Sequence, residues 1–448
     1  MEPFRYHVFV CTQEKPENVR SCSSCGSPVV LRALQQQLWL QGLADEVQVT
    51  TCGCFGLCDD APIMVAYPEG AWYRKVRPED VSEIVASHFR FGKIVTRLAW
   101  TDAPAMRAMA LEHTRHYFEM VKAKEDAGIL PDDINETIRG FMPSRALLTA
   151  LELDLFTAVG SGASAAEVAQ RASTDPRSTE ALLNALVSLK LLEKNGQVFS
   201  RTPRSSHFLA EDSRDSARSA LIHIADLWNR WSALTECVRT GMPAKAEPRD
   251  ESSQRAFIAA MDRNAREGAV AVVREAGANG IRNVLDLGGG SGAYAVAFAK
   301  AVPELRAKVI ELPEIAPLTR EYIRRSGVQD RIIVQPGNML TDPLGENYDL
   351  ILLSSICHMF SPQENQGLFQ RAHAALSPAG RLIIRDFILE PDKTAPRFAT
   401  LFSLNMLVGT ENGSSYSEPE YASWMRRAGF TEVRRVRVPG PSGLMIAA

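Results

Sequence analysis

The sequence predicts an α/β protein: a doubly wound, mostly parallel sheet of seven strands in its last third, a helical domain before it, and a smaller α/β module at the front. Three observations carry this. Five strand-and-helix units start from one glycine-rich turn at residues 288–292, and a terminal hairpin follows them. Apolar-periodic helical segments followed by a tight hairpin occupy the middle. Six of the eight cysteines (Cys11, Cys22, Cys25, Cys52, Cys54 and Cys58) crowd the front, while Cys237 and Cys357 stand alone.

At 448 residues, and with domains of about 150 residues, the chain has room for about three domains. Its 50 Lys+Arg against 53 Asp+Glu give a net charge of −3, which calls for neither a nucleic acid nor a membrane partner. The start "MEPFRYHVFVCTQEKPENVR" has too short an apolar run for a secretory signal, and no later run reaches the ~18 apolar residues of a membrane span. A cytoplasmic protein is expected, and there clustered thiols serve metals or catalysis rather than disulfides. The expected division is 1–92, an arm and linker at 93–140, then 141–250 and 251–448.

In the front module "YHVFVC" reads as a strand, "VVLRALQQQLWLQG" as an apolar-periodic helix and "EVQVTTC" as a strand. "APIMVAYP" and "AWYRKV" pair around "PEG", and a last helix opens at Pro78, where a missing N–H costs little. The cysteines thus sit where strands run into loops, and backbone N–H groups there can point at a bound centre. A set of Cys11, Cys22, Cys54 and Cys58 suits tetrahedral zinc or an iron–sulfur cluster. Cys22-x2-Cys25 with Cys54-x3-Cys58 is also a zinc-ribbon spacing, so spacing leaves both metals open. The radical-type CxxxCxxC motif lacks its third cysteine after Cys58.

The stretches "HVFVCTQ", "SCSSCGS" and "CGCFGLCDDAPIMVAYPEGAWYRKVRPEDVSEIV" resemble the thioredoxin-like [2Fe-2S] ferredoxins over the whole module. The resemblance implies a thioredoxin-like α/β ferredoxin domain whose [2Fe-2S] cluster is held by Cys11, Cys22, Cys54 and Cys58. Electron transfer, redox sensing and docking of a redox partner protein are all open to it. Cys25 and Cys52 are extra thiols able to enter the ligand shell, and Asp59 and Asp60 stand where a neutral turn is commoner.

Residues 103–127 read as a long amphipathic helix, "GILPDDINET" as a polar stretch with turn signals, and His113 and His116 as part of a solvated face. From Phe141 on, "RALLTALELDLFTAV", "SAAEVAQRA" and "RSTEALLNALVSL" read as helices. With "LLEKNGQVFSRT" turning at Asn195-Gly196 they make a winged helix. DNA binding and self-association are the two uses. The third helix is aliphatic and short of the basic residues that about six phosphate contacts need, so self-association is expected.

"RNVLDLGGGSGAYAVAFAKA" is a buried strand, a glycine turn and a helix. Gly288, Gly290 and Gly292 allow the sharp turn and a ligand's close approach to a helix N-terminus. The turn alone leaves a nicotinamide dinucleotide and S-adenosyl-L-methionine equally open. "AKVIEL" then ends on Glu311, about 20 residues on, where a carboxylate accepts from both ribose hydroxyls. "RIIVQP", "YDLILL", "RLIIRD", "TEVRRVRV" and "SGLMIAA" complete the sheet, and a single glycine turn favours a one-nucleoside site.

With Asp286 ending the first strand, this arrangement resembles the class I S-adenosylmethionine-dependent methyltransferases. More narrowly, "FMPSRALLTALELDLF", "WSALTECVRTG", "AFIAAMD", "VIELPEI", "PGNML", "ICHMF" and "NMLVGTENGSSYSEPEYASWMRRAGF" resemble the small-molecule O-methyltransferases with an N-terminal dimerisation domain, over residues 141–448. The resemblance implies a Rossmann-like seven-stranded methyltransferase sheet, a winged-helix dimerisation domain, a homodimer and a small-molecule methyl acceptor. It gives Asp286, Gly288, Gly290, Gly292, Glu311, Asn338 and Met339 to the S-adenosyl-L-methionine site. His358 becomes the general base, bracketed by Asp386 on the adjacent strand end, and Phe402, Asn405 and Met406 become pocket walls or core. The chain departs from the pattern at Met359 and Phe360 after the histidine, at Asn338 for an aspartate, and at Ser415 for a second bracketing glutamate. O-methylation of a small aromatic or polycyclic hydroxyl compound is expected. The alternatives are a C-methyltransferase of a pigment or tetrapyrrole, and an inactive ligand- or DNA-binding regulatory homologue.

Overall fold

The structure, a computed structural model, describes residues 3–15, 19–245, 250–277 and 280–448. The chain divides into two compact units, Met1–Arg139 and Gly140–Ala448.

The first unit holds a four-stranded sheet of β1 (Tyr6–Cys11), β2 (Val47–Cys52), β3 (Met64–Tyr67) and β4 (Ala71–Tyr73), in the order β2-β1-β3-β4. β1 and β2 are parallel, and the other neighbours antiparallel. The helix Ser27–Leu40 links the parallel pair and lays Val30, Leu34 and Leu38, one stripe at helical spacing, into the same core as Val8, Val10 and Tyr73. Because β1 and β2 run in register, Cys11 lies opposite Cys52 and both strands deliver a thiol to one sheet edge. The helix Ala103–Asp126 starts where Asp102 accepts from the Ala105 N–H at 2.9 Å. The polar stretch expected as a turn is instead largely helical, over Asp132–Arg139. Pro131 precedes it, Asp132 and Asp133 sit in its first turn and Arg139 in its last, a charge order that favours the helix dipole.

In the second unit the first expected helix is two, Phe141–Glu152 and Leu155–Val159, because Asp154 between them adopts a left-handed backbone (φ 51°). The helices Ala165–Ala172 and Pro176–Ser188 follow, capped by Ser164 and Asp175. A small sheet of β5 (Ala163–Ser164), β6 (Leu192–Asn195) and β7 (Val198–Arg201) completes this region in the order β5-β7-β6. Asn195 pairs with Val198, so the turn centres on Gly196 (φ 59°) and Gln197, one residue later than expected.

The large sheet comprises β8 (Asn283–Leu287), β9 (Arg306–Glu311), β10 (Ile332–Pro336), β11 (Tyr348–Ser354), β12 (Leu376–Asp386), β13 (Val433–Arg437) and β14 (Gly443–Ala447). Its order is β10-β9-β8-β11-β12-β14-β13; the first five are parallel and β14 is antiparallel to both neighbours. Leu350, Ile351, Leu352 and Leu353 of β11 are all fully buried, as a central parallel strand covered on both faces requires. One face packs on the helices Glu251–Ala276 and Ala293–Ala301, the other on Pro362–Ala375 and Glu418–Arg427. Among the described residues no helix is long and apolar enough to cross a membrane. Phe298 is wholly buried under the first face, so Phe298→Ala should cost about 3–5 kcal/mol. Urea unfolding followed by near-UV circular dichroism checks this, and a loss below about 1 kcal/mol would contradict the packing.

Candidate functional site

β11 and β12 are in register up to Ser354 opposite Arg385, so the two strands end side by side. His358 lies in the short turn just past the end of β11, and Asp386 ends β12. Their side chains meet: Nδ1 of His358 is 2.7 Å from Oδ1 of Asp386, both residues buried. Three further donors reach the same carboxylate: the backbone N–H of Phe387 (2.8 Å), that of His358 (3.2 Å) and the Tyr421 hydroxyl (3.1 Å). Burial alone would push the Asp386 carboxyl up. The His358 ring and the hydrogen bonds from His358, Phe387 and Tyr421 outweigh burial and hold it below the usual carboxylate range. An ionised carboxylate only accepts, so Nδ1 carries the proton and Nε2 carries the lone pair. The ring also packs edge-on against Phe402 (4.8 Å between centroids) and lies near Phe387 (6.1 Å). Asn405 instead accepts from the Trp231 indole at 3.0 Å, and Met406 is buried.

The glycine turn lies at the same sheet edge, after β8. Gly290 has φ 57°, and no atom comes within 4 Å of where a Cβ would stand, an open cradle for a ligand. A Cβ on Gly288 would strike the Met339 methyl at 2.7 Å, and one on Gly292 the Ile323 side chain at 2.9 Å. Glu311 turns its carboxylate to the turn, accepting from the N–H groups of Gly290 (2.7 Å) and Leu312 (2.8 Å). Burial raises its pKa despite these bonds. Lone pairs remain on both oxygens for hydroxyl groups, and this set fits the adenosyl part of S-adenosylmethionine. Asn338 is exposed, with Oδ1 accepting from the Leu340 N–H at 2.9 Å. Asp286, under the turn, is fully buried, and neither of its oxygens has a well-formed hydrogen bond among the described residues. Burial lifts its pKa to about 7, with repulsion from Glu311 adding to it.

In the first unit Cys11, Cys22, Leu57, Ala61, Ile63 and Trp100 form one buried cluster, with Cys25 and Cys52 packed against it. The Cys54 and Cys58 sulfurs are 3.5 Å apart, and the Gly56 N–H points at Cys54 from 3.3 Å. Cys11 is in hydrogen-bond contact with Cys22, which lowers the Cys11 thiol and raises that of Cys22; the Gln13 and Phe55 amides also favour the Cys11 thiolate. Burial pushes Cys54 up, and Cys52 to about 11. The sulfurs come together as two pairs, Cys11 with Cys22 and Cys54 with Cys58, and backbone N–H groups face three of them: Gln13 and Phe55 at Cys11, Ile63 at Cys22 and Gly56 at Cys54, the kind of donor that stabilises a metal-bound thiolate. Lys15 Nζ is 3.1 Å from the Cys58 sulfur and 2.7 Å from Nε2 of His113. Sequence reasoning put His113 on a solvated face. It is half-buried and its ring nitrogen lies within 4.8 Å of the Cys54 and Cys58 sulfurs. Met106, Met109 and Ala110 of the same helix pack on the cysteine cluster, so His113 continues an apolar stripe, the signal that was there to read. Tyr421 was missed as well, and no local spacing marks it.

Comparison with known proteins matches the O-methyltransferase dimerisation domain to residues 135–211 and the O-methyltransferase domain to residues 235–431. The chain is 34% identical over 330 residues to the tetracenomycin polyketide synthesis 8-O-methyl transferase TcmO of Streptomyces glaucescens, covering 70% of this chain and 96% of that one. It is 32% identical over 330 residues, 70% of this chain and 94% of the relative, to the 3-hydroxy-5-methyl-1-naphthoate 3-O-methyltransferase of Streptomyces sahachiroi. Among solved structures it is similar to human N-acetylserotonin methyltransferase in complex with SAM (TM-score 0.64, 26% identity, 70% of this chain and 96% of that one). It is also similar to PigF with SAH (TM-score 0.67, 28% identity, 71% and 99%).

The raised pKa of Asp286 means that the folded protein holds this proton more tightly than the unfolded chain. Its contribution to stability is therefore lost as pH rises from about 4, the ordinary carboxylate value, towards about 7. Asp286→Asn should flatten that part of the ligand-free protein's stability-against-pH curve and raise stability at pH 7. An unchanged slope in urea titrations across this range would contradict a buried Asp286 carboxyl whose charge burial disfavours more than the Ala295 amide supports it.

Proposed function

The chain belongs to the S-adenosylmethionine-dependent O-methyltransferases with a dimerisation domain, and we propose that it methylates a hydroxyl group of a small aromatic or polycyclic compound. The observation that carries this reading is the buried His358–Asp386 pair at 2.7 Å beside the Phe402 and Phe387 rings. The relatives named for a polyketide and a naphthoate support the acceptor class. When bound, S-adenosylmethionine supplies a sulfonium methyl for in-line displacement. Glu311 would hold the ribose hydroxyls. Gly288, Gly290 and Gly292 would give backbone room, and Asn338 and Met339 would flank the adenine, with Asp286 supporting the turn from below. His358 takes the acceptor's hydroxyl proton at Nε2, and Asp386 keeps the ring in the competent tautomer and stabilises the imidazolium that results. The aromatic rings beside His358 exclude water and lie against a flat acceptor.

The proposed division is a ferredoxin module at 1–92, a helical arm at 93–140, a dimerisation domain at 141–250 that pairs two copies, and a catalytic domain at 251–448. A [2Fe-2S] cluster held by Cys11, Cys22, Cys54 and Cys58 in a thioredoxin-like fold is supported by the parallel β1–helix–β2 unit, the antiparallel β3–β4 pair and the backbone N–H groups that face Cys11, Cys22 and Cys54. It would serve one-electron chemistry with a redox partner or report redox state, and a cytoplasmic setting keeps its thiols reduced.

Calorimetry should show S-adenosylmethionine binding to wild type and His358→Ala alike, with Glu311→Ala weaker by at least about tenfold. In a screen of aromatic hydroxyl compounds, His358→Ala should lose about 10²- to 10⁴-fold in kcat. No binding by wild type, or undiminished turnover by His358→Ala, would overturn the reading. Freshly purified protein should be coloured, with iron and sulfide in equal amounts, and Cys22→Ala should bleach it. A colourless zinc protein would remove the ferredoxin reading and leave the methyltransferase untouched.

A further inference from the structure

We propose that Tyr421 is a positioning residue for the transfer: its phenolic O–H fixes the charge and orientation of Asp386 behind His358, where a second carboxylate was expected. This rests on the reading of His358 as the base. Of the four donors to Asp386, three come from residues at the strand ends themselves, His358 (ring and backbone) and Phe387. Tyr421 alone comes from elsewhere, the helix Glu418–Arg427, 35 residues on in sequence. Its ring is fully buried. Because an ionised carboxylate only accepts, the phenol must be the donor. Burial, with the nearby negative charge of Asp386, keeps its proton on far beyond neutral pH.

The helix holds this phenol firmly. Ser417 and Glu420 form a capping box at its start, and Lys393 pairs with Glu420 at 2.7 Å. The Tyr421 ring packs against Trp424, Tyr416 and Phe369, with centroids 5.7, 6.0 and 6.4 Å away. Ser415, where a second glutamate was expected, is buried, and its hydroxyl has no hydrogen-bond partner among the described residues. It therefore does not bracket the histidine. The imidazole thus works with one carboxylate, and Tyr421 decides how much of that charge it feels. A phenol donating to Oδ2 draws charge away from Oδ1, and so weakens the pull of Asp386 on the Nδ1 proton.

The other titratable groups near Asp386 leave this balance alone in the neutral range. Cys357, beside His358, has its thiol pushed up by burial. Tyr416, in the segment before the helix, is pushed up to about 12 by burial. Glu420 is bonded to Ser417 and Lys393, and Glu364 to the cap at Ser361. The helix Arg397–Gly409 presents the uncharged Phe402.

The test compares Tyr421→Phe with wild type, with His358→Ala as the reference. Tyr421→Phe should bind S-adenosylmethionine within about twofold of wild type and keep the acceptor KM within about threefold. Its kcat should fall about five- to tenfold, and the acid limb of kcat/KM should move up by about half a pH unit, a threefold gain in imidazole proton affinity. A merely structural role would lower stability and kcat without moving the limb. Site-specific difluorotyrosine at 421, a stronger donor of nearly the same shape, should move the limb down, and this arm keeps the test alive if the phenylalanine variant folds poorly. If His358→Ala is inactive while neither change at 421 moves the limb, the role of Tyr421 is refuted and the base stands. If His358→Ala keeps full turnover, the base reading falls, and the proposal with it.

Discussion

A carboxylate taken out of water must be supplied with hydrogen bonds or give up its charge, and Asp386 is supplied with four. The site depends on this. The register of β11 with β12 brings two residues 28 apart in sequence to one point on the sheet edge, and the bond between them fixes which imidazole nitrogen is free. The parallel sheet, the helices that bury its two faces and the helix carrying Tyr421 all serve to keep that bond dry and aligned. Dryness strengthens it, since a charge-assisted bond inside protein is screened far less than one in water.

Asp286 makes the contrast. It too lies near the end of a strand of the same sheet, one residue before Leu287 closes β8, and is fully buried, yet its carboxyl is driven up where that of Asp386 is driven down. The difference lies in the neighbours. Asp386 faces an imidazole and three further N–H or O–H donors, whereas Asp286 lies beneath glycines with Glu311 close by. One fold therefore holds two buried carboxyls of opposite character about one sheet edge. Such separation of paired groups is how a protein assigns charge where chemistry needs it.

Much of this was legible in the sequence wherever the information is local. The glycine turn, the carboxylate at Glu311 and the two strand ends at His358 and Asp386 sit in short runs whose residue types state their backbone needs, and the parallel run of the first five strands follows from their alternation with helices. The placing of cysteines where strands run into loops was legible too, since β1 ends on Cys11 and β2 on Cys52. What was not legible is long-range. Tyr421 reaches Asp386, and Lys15 reaches His113 across 98 residues, and no periodicity reports such pairs. The break at Asp154 and the helix Asp132–Arg139 were missed for a different reason: turn-prone residues cap helices as readily as they interrupt them.

The claim most exposed to test is the tautomer of His358. Selective ¹⁵N labelling of histidine, with His358→Ala used to assign the signal, reads the protonation of both ring nitrogens directly. With S-adenosylhomocysteine bound and the pH about two units above imidazole's ordinary value, the account predicts a protonated Nδ1 and a bare Nε2. A proton on Nε2 with Nδ1 bare would mean that Asp386 does not orient the ring, and the proposed base would have no lone pair to offer.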